Sequence, residues 1–449
     1  MININYTKRL FVLALPVMLT QLGQVSVNIF DNIIVGKLLG ADALASVSLA
    51  NGVFFSVFIL AIGFSLAIPP LVSNAHSQHH HRRINQIFRH GFVLNMLIGI
   101  VLVALLFALM PLLYHLNQPE SILPDTESYL SITIVSIIPF MAFQTMREVS
   151  EGLGYTLGVT KATIMANVVN VILDYVFIKG ILGFPPMGVE GSAYATLIAR
   201  VLMVFFIIYS LRNNQKTKRY MQAFTLNKKL FSKNRFIQLF KLGFPTALQL
   251  FFEVTAFAAA GFICGLVSVT DIAANQVTLS LASLTFNLCI GFGVATTVMI
   301  GNRFGKKEYK DLRETGINSL KIVFIFMFIC GLIFIFGRNI LPTIFTKPEE
   351  IAVIELSSKL MIIAALFQLS DGIQITTIGI LRGIQDVKIP SIYTFVAYWI
   401  ITLPLGYFLC YVLDYGAFGM WIALGIGLSV SSILLVIRFL KLSKNLQMR

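Results

Sequence analysis

Runs of twenty or more mostly apolar residues recur along this 449-residue chain, separated by short polar stretches. Backbone in a bilayer must satisfy its own hydrogen bonds, so such runs predict membrane-spanning helices. Twelve are expected, at 10–36, 46–72, 91–115, 128–150, 161–180, 190–211, 241–266, 273–300, 320–342, 356–380, 390–412 and 416–440. Little is left for a soluble domain. The first run lacks a small-residue cleavage site and continues past Asp31, so a retained span is expected in place of a signal peptide.

The pattern repeats itself at an offset of about 228 residues. Leu15-Pro16 matches Phe244-Pro245, Ala41-Asp42 matches Thr270-Asp271, and Ala61-Ile62-Gly63-Phe64 matches Cys289-Ile290-Gly291-Phe292. Ser73-Asn74 then matches Gly301-Asn302, and Gly188-x-x-Gly191 matches Gly416-x-x-Gly419. Each half holds six spans, an even number, so the halves share one orientation. The expected fold is therefore an all-α polytopic membrane protein, its twelve transmembrane helices forming two parallel six-helix pseudo-repeats around a central cavity. The expected parts are an N-terminal lobe at 1–211, a basic linker at 212–240 and a C-terminal lobe at 241–449.

Composition agrees with that picture. The chain is 57% hydrophobic and 12% charged, against about 25% charged for soluble domains, with a mean hydropathy of +0.83. A net charge of +14 raises the question of nucleic acid, but its placement answers otherwise. With both termini inside, 28 of the 34 Lys and Arg fall on the terminal side. That asymmetry is the positive-inside rule, and it implies a multi-pass membrane protein with both termini cytoplasmic and no nucleic-acid partner. The nine Lys/Arg from Arg212 to Lys241 are expected to lie solvated against the anionic leaflet, with membrane lipids as neighbours. His79-His80-His81 reads as an exposed run, and the four cysteines, Cys264, Cys289, Cys330 and Cys410, as packing residues.

Four carboxylates interrupt the apolar runs: Asp31, Asp174, Glu253 and Asp371. A charged acid at the bilayer centre costs about 2.5–3.5 kcal/mol even on the lenient insertion scale, so each is expected to face a polar interior and to serve a function. Asp31 and Asp174 lie five or six residues from the outer ends of their spans, as does Thr196. Asn170 precedes Asp174 by one turn on the same helix face. Asp31, Asn170, Asp174 and Thr196 can thus form one oxygen-lined outer pocket, fit for a proton shared by two carboxylates or for a hard cation such as Na⁺. Glu253 and Asp371 lie near mid-depth, and the repeat does not reproduce the acids, since Asp31 aligns with Ala260 and Glu253 with Gln24.

Among the remaining polar residues, Gln144, Gln249, Asn275, Gln276, Asn287 and Gln374 can line a cavity or hold helices together. Phe252, Phe257, Phe286 and Phe367 lie close to the acids, where they pack or stack on a flat cation. With Gln276 and Gln374 they are the candidate substrate contacts. Pro16, Pro139, Pro245, Pro390 and Pro404 can bend helices. Pro16 and Pro245 are the favoured hinges because the repeat makes them equivalent.

These residues resemble a known family, the multidrug and toxic compound extrusion (MATE) transporters, most closely the NorM-type branch. The resemblance rests on Phe30-Asp31-Asn32-x-x-x-Gly36, on Leu242-Gly243-Phe244-Pro245 running to Leu250-Phe251-Phe252-Glu253-Val254-Thr255, and on Gln368-x-x-Asp371 leading to Leu381-Arg382-Gly383. Gly188 through Ala195-Thr196 also fits the family pattern, and the similarity covers the whole chain. It implies a transporter without an enzymatic reaction or cofactor, exporting cationic amphipathic compounds in antiport with H⁺ or Na⁺. By motif match, Glu253 and Asp371 fall on the family's second-lobe cation positions, and Asp31, Asn170, Asp174 and Thr196 on its first-lobe ion site. Two departures stand out. Phe367 occupies a position where the branch often has Tyr, which weakens Na⁺ in the second lobe. Asp174 occupies one where it often has Asn, which strengthens the first.

Three other classes fit the sequence less well. A lipid-linked oligosaccharide or lipid flippase of the same superfamily would want bases in its cavity, and Arg200 is the single mid-span base in the sequence reading. A major-facilitator transporter would carry an Asp-Arg-rich loop after span 2, where this chain reads Ser-Asn-Ala-His-Ser-Gln-His-His. A prenyl transferase would cluster its acids near one membrane face.

Overall fold

The computed structural model describes residues 4–115, 119–181, 183–225, 230–346 and 349–448. Residues 226–229 of the expected linker and Lys347 lie outside them. All regular structure among the described residues is helical, and twelve helical stretches are long and apolar enough to cross a membrane. They begin with α1 (Ile4–Leu39), the pair α2 (Ala41–Ser65) and α3 (Ile68–Ser77), and α4 (His81–Leu109). The fourth span is α5 (Leu123–Val135) with α6 (Ile137–Gly152), followed by α7 (Leu157–Lys179) and α8 (Gly188–Asn213). A short α9 (Lys218–Gln222) leads to α10 (Lys233–Val267), α11 (Val269–Gly305), α12 (Tyr309–Gly337) and α13 (Ile351–Gly383). The eleventh span combines α14 (Lys388–Phe395), a π-helical turn at Val396–Thr402, α15 (Leu403–Tyr407) and a second π segment at Phe408–Val412. The last is α16 (Gly416–Gln447).

Proline explains where the spans break. A proline ring collides with the carbonyl four residues earlier and donates no hydrogen bond. Pro69 and Pro70 accordingly end α2 at Ser65, and Pro139 ends α5 at Val135. Pro404 releases the carbonyl of Ile400, inside the first π-helical turn. By contrast α1 and α10 continue helically through Pro16 and Pro245.

The chain packs as two compact units, one comprising residues 1–18 and 248–449, the other 19–247. The divisions fall inside α1 and α10, two residues past Pro16 and Pro245, and so differ from the lobe boundaries of the sequence repeat. The start of α1 packs with α11 and α12, where Leu10, Ala14 and Met18 join Phe292, Val323 and Met327 in one cluster. Tyr6 donates there to the carbonyl of Thr315 at 3.0 Å. The segment expected as a solvated linker is folded onto α4: Tyr220 is buried, its hydroxyl 2.9 Å from His81 Nδ1, and Phe224 packs on Phe88. His79 and His80 are exposed, and His81 is held by Tyr220 and Arg219.

Lipid gives apolar helices little reason to associate, so close contact through small residues must supply it. A Cβ on Gly63 would lie 2.3 Å from Ala247 Cα, and one on Gly379 would lie 2.5 Å from the Gly293 carbonyl. Large apolar groups such as Phe262 and Phe336 are 71% and 82% exposed, a pattern of a chain not packed for water. All four cysteines are buried, and the thiols of Cys264 and Cys410 meet between α10 and the second π segment.

The repeat is visible in the backbone. Gly188 and Gly416 open α8 and α16 with φ of 56° and 55°, a region that costs other L-residues about 1–2 kcal/mol. At the second position the contact is closed. Ser268 caps α11 by accepting from Asp271 N–H at 3.0 Å, and Asp271 Oδ1 accepts from Ala417 N–H at 2.6 Å. A Cβ on Gly416 would stand 2.2 Å from that same oxygen. Gly416→Ala is therefore expected to destabilise the protein by about 2–4 kcal/mol. Thermal melting of the purified variant checks this, and a melting temperature equal to the parent's would contradict it.

Candidate functional site

Two buried acidic sites emerge, one in each unit. In the unit formed by residues 19–247, α1 contributes Asp31, α7 contributes Asn170 and Asp174, and α8 contributes Ser192 and Thr196. Each lies within about 14 Å of the nearest end of its own helix at 1.5 Å per residue. Asp174 is 0% exposed and Asp31 7%. Their carboxyl groups face each other, with Ser192 beside Asp174 and the Arg200 guanidinium in the field of Asp31. Tyr129, buried on α5, adds a phenol that touches Asn51 and feels both carboxyl groups.

The pocket is short of hydrogen bonds. One oxygen of Asp31, both of Asp174, both polar atoms of the Asn170 amide, Ser192 Oγ and Thr196 Oγ1 are buried without a partner of standard geometry. Native interiors leave few such atoms, and each costs about 1–3 kcal/mol. Concentrated in one place, these oxygens fit a small hard cation, or protons distributed over the carboxyl pair. Of the four residues expected to form an outer pocket, Asp31 and Asp174 face each other, Asn170 lies one helical turn from Asp174, and Thr196 lies one turn from Ser192. Sequence reasoning did not include Ser192, Tyr129 and Asn51.

Arg200 limits what the pocket can accept. Its Nη1 donates to Ser136 Oγ at 2.6 Å, at the break between α5 and α6. Its guanidinium lies 5.1, 5.2 and 5.4 Å from the rings of Phe54, Phe58 and Phe140. Three phenyl faces and the carboxyl-terminal end of α5 stabilise the charge where it stands.

In the other unit, α10 contributes Glu253, α13 contributes Phe367, Asp371 and Gln374, and the first π-helical turn contributes Tyr398. Gln374 Nε2 donates to Glu253 Oε1 at 3.0 Å and to Tyr398 Oη at 3.1 Å, and the Tyr398 hydroxyl donates to the same Glu253 oxygen at 3.3 Å. Glu253 and Asp371 are buried and within each other's field. The phenolic oxygen lacking at Phe367 is thus supplied from another helix. A π-helical turn shifts side-chain register by one residue, so linear spacing does not reveal which tyrosine arrives.

The candidate substrate contacts are placed unequally. Phe257 lies 6.1 Å from Phe367 and 5.7 Å from Tyr398, edge-on and tilted beside the acids. Phe252 packs on Phe395 at 4.8 Å, its carbonyl accepting from Trp399 Nε1. Phe286 is half-buried, and Gln276 is exposed. Asn275 accepts from Trp421 Nε1 at 3.0 Å, and Gln249 donates to Thr394 at 3.3 Å, so both hold helices together.

Of a third polar cluster, near a span end, only Gln144 was legible as a polar membrane residue in the sequence. Arg147 pairs with Glu151 at 2.8 Å and donates to Gln21 at 3.3 Å, while Gln144 donates to Glu148 and Ser65. The ion pair compensates Arg147 and Glu151, while Glu151 Oε2 and Gln144 Oε1 stay buried without a hydrogen-bond partner.

A twelve-helix membrane protein with a buried acidic pocket in each of two units fits the class of transporters built from repeats. The family model described as MatE matches residues 16–176 and 245–408. The chain belongs to that family, on its NorM-type branch. A probable multidrug resistance protein NorM of Agrobacterium fabrum is 31% identical, over 98% of this chain and 95% of that protein. A multidrug resistance protein NorM of Photobacterium profundum is 30% identical, over 96% of this chain and 94% of its own length. The crystal structure of the eukaryotic MATE transporter AtDTX14 superposes with a TM-score of 0.88 at 18% identity, over 99% of both chains, which is a likeness of fold.

Proposed function

We propose that this chain is a multidrug efflux transporter that exports cationic amphipathic compounds in antiport with H⁺ or Na⁺. It works by alternating access in a bacterial inner membrane, with both termini cytoplasmic. The observation that carries the coupling site is the set of unpartnered buried oxygens around Asp31 and Asp174. The names of the relatives support multidrug export, and the scarcity of uncommitted cavity bases supports cationic cargo. Arg200, the base that an anionic flippase cargo would call for, is engaged by Ser136 and three phenyl rings.

In this reading the outward-open pocket takes up a proton or Na⁺ on Asp31 and Asp174, which removes negative charge from the unit. Inward-open, the ion leaves and the freed carboxylates favour a cationic substrate. Coupling follows because ion and substrate prefer different states, and the linkage is reciprocal. Pro16 and Pro245 serve as hinges, since the division between compact units falls two residues past each. Glu253, Gln374, Tyr398, Phe257 and Phe367 form the cation-recognising surface of the second unit.

Ethidium efflux from proteoliposomes tests this, driven separately by a pH gradient and by a Na⁺ gradient. Efflux under one of the two is expected. None under either would overturn antiport and return the flippase alternative.

A further inference from the structure

A cavity of about 300 Å³ lies in the unit of residues 19–247, beside the first turns of α4. Arg82, Asn85, Gln86 and Arg89, at i, i+3, i+4 and i+7, share one face of that helix and form one wall. Leu230, Phe231 and Ser232 form the other. None of these residues belongs to the acidic pockets.

The cavity is built, not a gap under a loose segment. Ser232 N–H donates to His90 Nε2 at 2.8 Å, so Nε2 is the bare nitrogen and Nδ1–H donates to the Gln86 carbonyl at 2.7 Å. The rings of Phe231 and Phe236 lie 5.1 and 4.8 Å from the imidazole. His90 is 0% exposed and fixes the second wall against α4.

Its charges are uncompensated. Arg89 is 6% exposed, and its Nε is buried with no hydrogen-bond partner. Outside the cavity wall, Arg83 Nε is bare as well, and Arg83 lies in the repulsive field of Arg235. Among the described residues the ion pairs engage Arg147, Arg303 and Arg438, and none engages Arg82, Arg83, Arg89 or Arg235. A buried guanidinium without a counter-ion is strongly unfavourable, so the site calls for an anion. Planar N–H forks suit the oxygens of a phosphate. Asn85 Oδ1, also buried and unpartnered, calls for a donor beside that phosphate. Leu230 and Phe231 give the cavity an apolar shoulder.

We propose that this cavity binds a phosphate group, first of all that of an anionic phospholipid whose headgroup carries a hydroxyl, such as phosphatidylglycerol. The arginines hold the phosphate, Asn85 accepts from the hydroxyl, and the apolar shoulder meets the first carbons of the chain. The occupied site fastens the 230–236 segment to α4 and so joins the chain between the repeats to the membrane surface.

Native mass spectrometry of the full chain in detergent tests this by titration with phosphatidylglycerol and phosphatidylethanolamine, alongside thermal melting in inorganic phosphate. Arg82→Gln is the main variant because Arg82 is exposed and its loss leaves the fold intact. Arg82→Gln/Arg89→Gln is the stronger one, and Lys444→Gln is a charge-matched control. Phosphatidylglycerol is expected to bind the parent about tenfold more tightly than phosphatidylethanolamine, a preference lost in Arg82→Gln and kept in Lys444→Gln. Stabilisation by inorganic phosphate without a lipid preference, again lost in Arg82→Gln, would support the site with a free phosphate as its occupant. Parent-like phosphatidylglycerol binding by Arg82→Gln, or an equal loss in Lys444→Gln, would overturn the proposal.

Discussion

Asp31→Asn is expected to abolish ion-driven efflux while leaving the protein inserted and folded. The change is nearly isosteric, and it removes from the pocket the carboxyl group that faces Asp174. Two carboxyl groups in contact can share or exchange a proton, or offer a cation two charges, and a carboxamide does neither. Asp174 remains but loses the partner that makes its protonation responsive to the second site. Transport should fall by at least about a hundredfold, on the order of 3 kcal/mol of lost coupling. The assay is ethidium efflux from proteoliposomes at matched protein content, with melting temperature and elution volume as controls for folding. Near-parent transport would remove Asp31 from the account.

Glu253→Gln should behave differently. Glu253 meets Gln374 and Tyr398 through a single oxygen, Oε1, in a buried setting shared with Asp371. A glutamine keeps the packing and removes the charge that attracts a cation. Hydrogen bonds to charged groups are worth about 1.5–3 kcal/mol, so half-saturating ethidium should rise about tenfold or more. The dependence on pH or Na⁺ should stay that of the parent. A variant that loses ion dependence and keeps ethidium affinity would reverse the roles assigned to the two units.

These contrasts follow residues whose legibility in the sequence differed. The twelve spans were readable because apolar length is a one-dimensional property, and Asn170 and Asp174 because one helical turn fixes their common face. Asp31 and Thr196 joined them through depth alone. Tyr398 was not readable: it is one of 14 tyrosines, and its arrival at Glu253 depends on a π-helical turn upstream of Pro404. Tyr129, Asn51 and Ser192 were hidden for a related reason, since each enters the pocket from a neighbouring helix with no charge to mark it. Arg200 was visible as a mid-span base, but its cage of Phe54, Phe58 and Phe140 is assembled from two other spans.

The linker was legible in its charges and not in its path. Arg212, Lys216, Lys218, Arg219 and Lys233 are exposed, while Tyr220, Phe224 and Phe231 hold the segment against α4. Prolines divided along the same line. Pro139 marks a break and Pro404 a π-helical turn, whereas Pro16 and Pro245 stand within continuous α-helices next to the division between units. Proline predicts a lost hydrogen bond, and the surrounding packing decides whether a break follows.

The central claim is that substrate and coupling ion compete through the Asp31/Asp174 pocket. The most direct test mixes ethidium with purified protein in weakly buffered detergent solution and follows proton release with a pH dye, or displacement of radioactive Na⁺. The account predicts that ethidium binding releases H⁺ or Na⁺ from the parent and from Glu253→Gln once saturated, and neither from Asp31→Asn/Asp174→Asn. Ethidium binding to the parent without release of either ion, or equal release from the double variant, would contradict it.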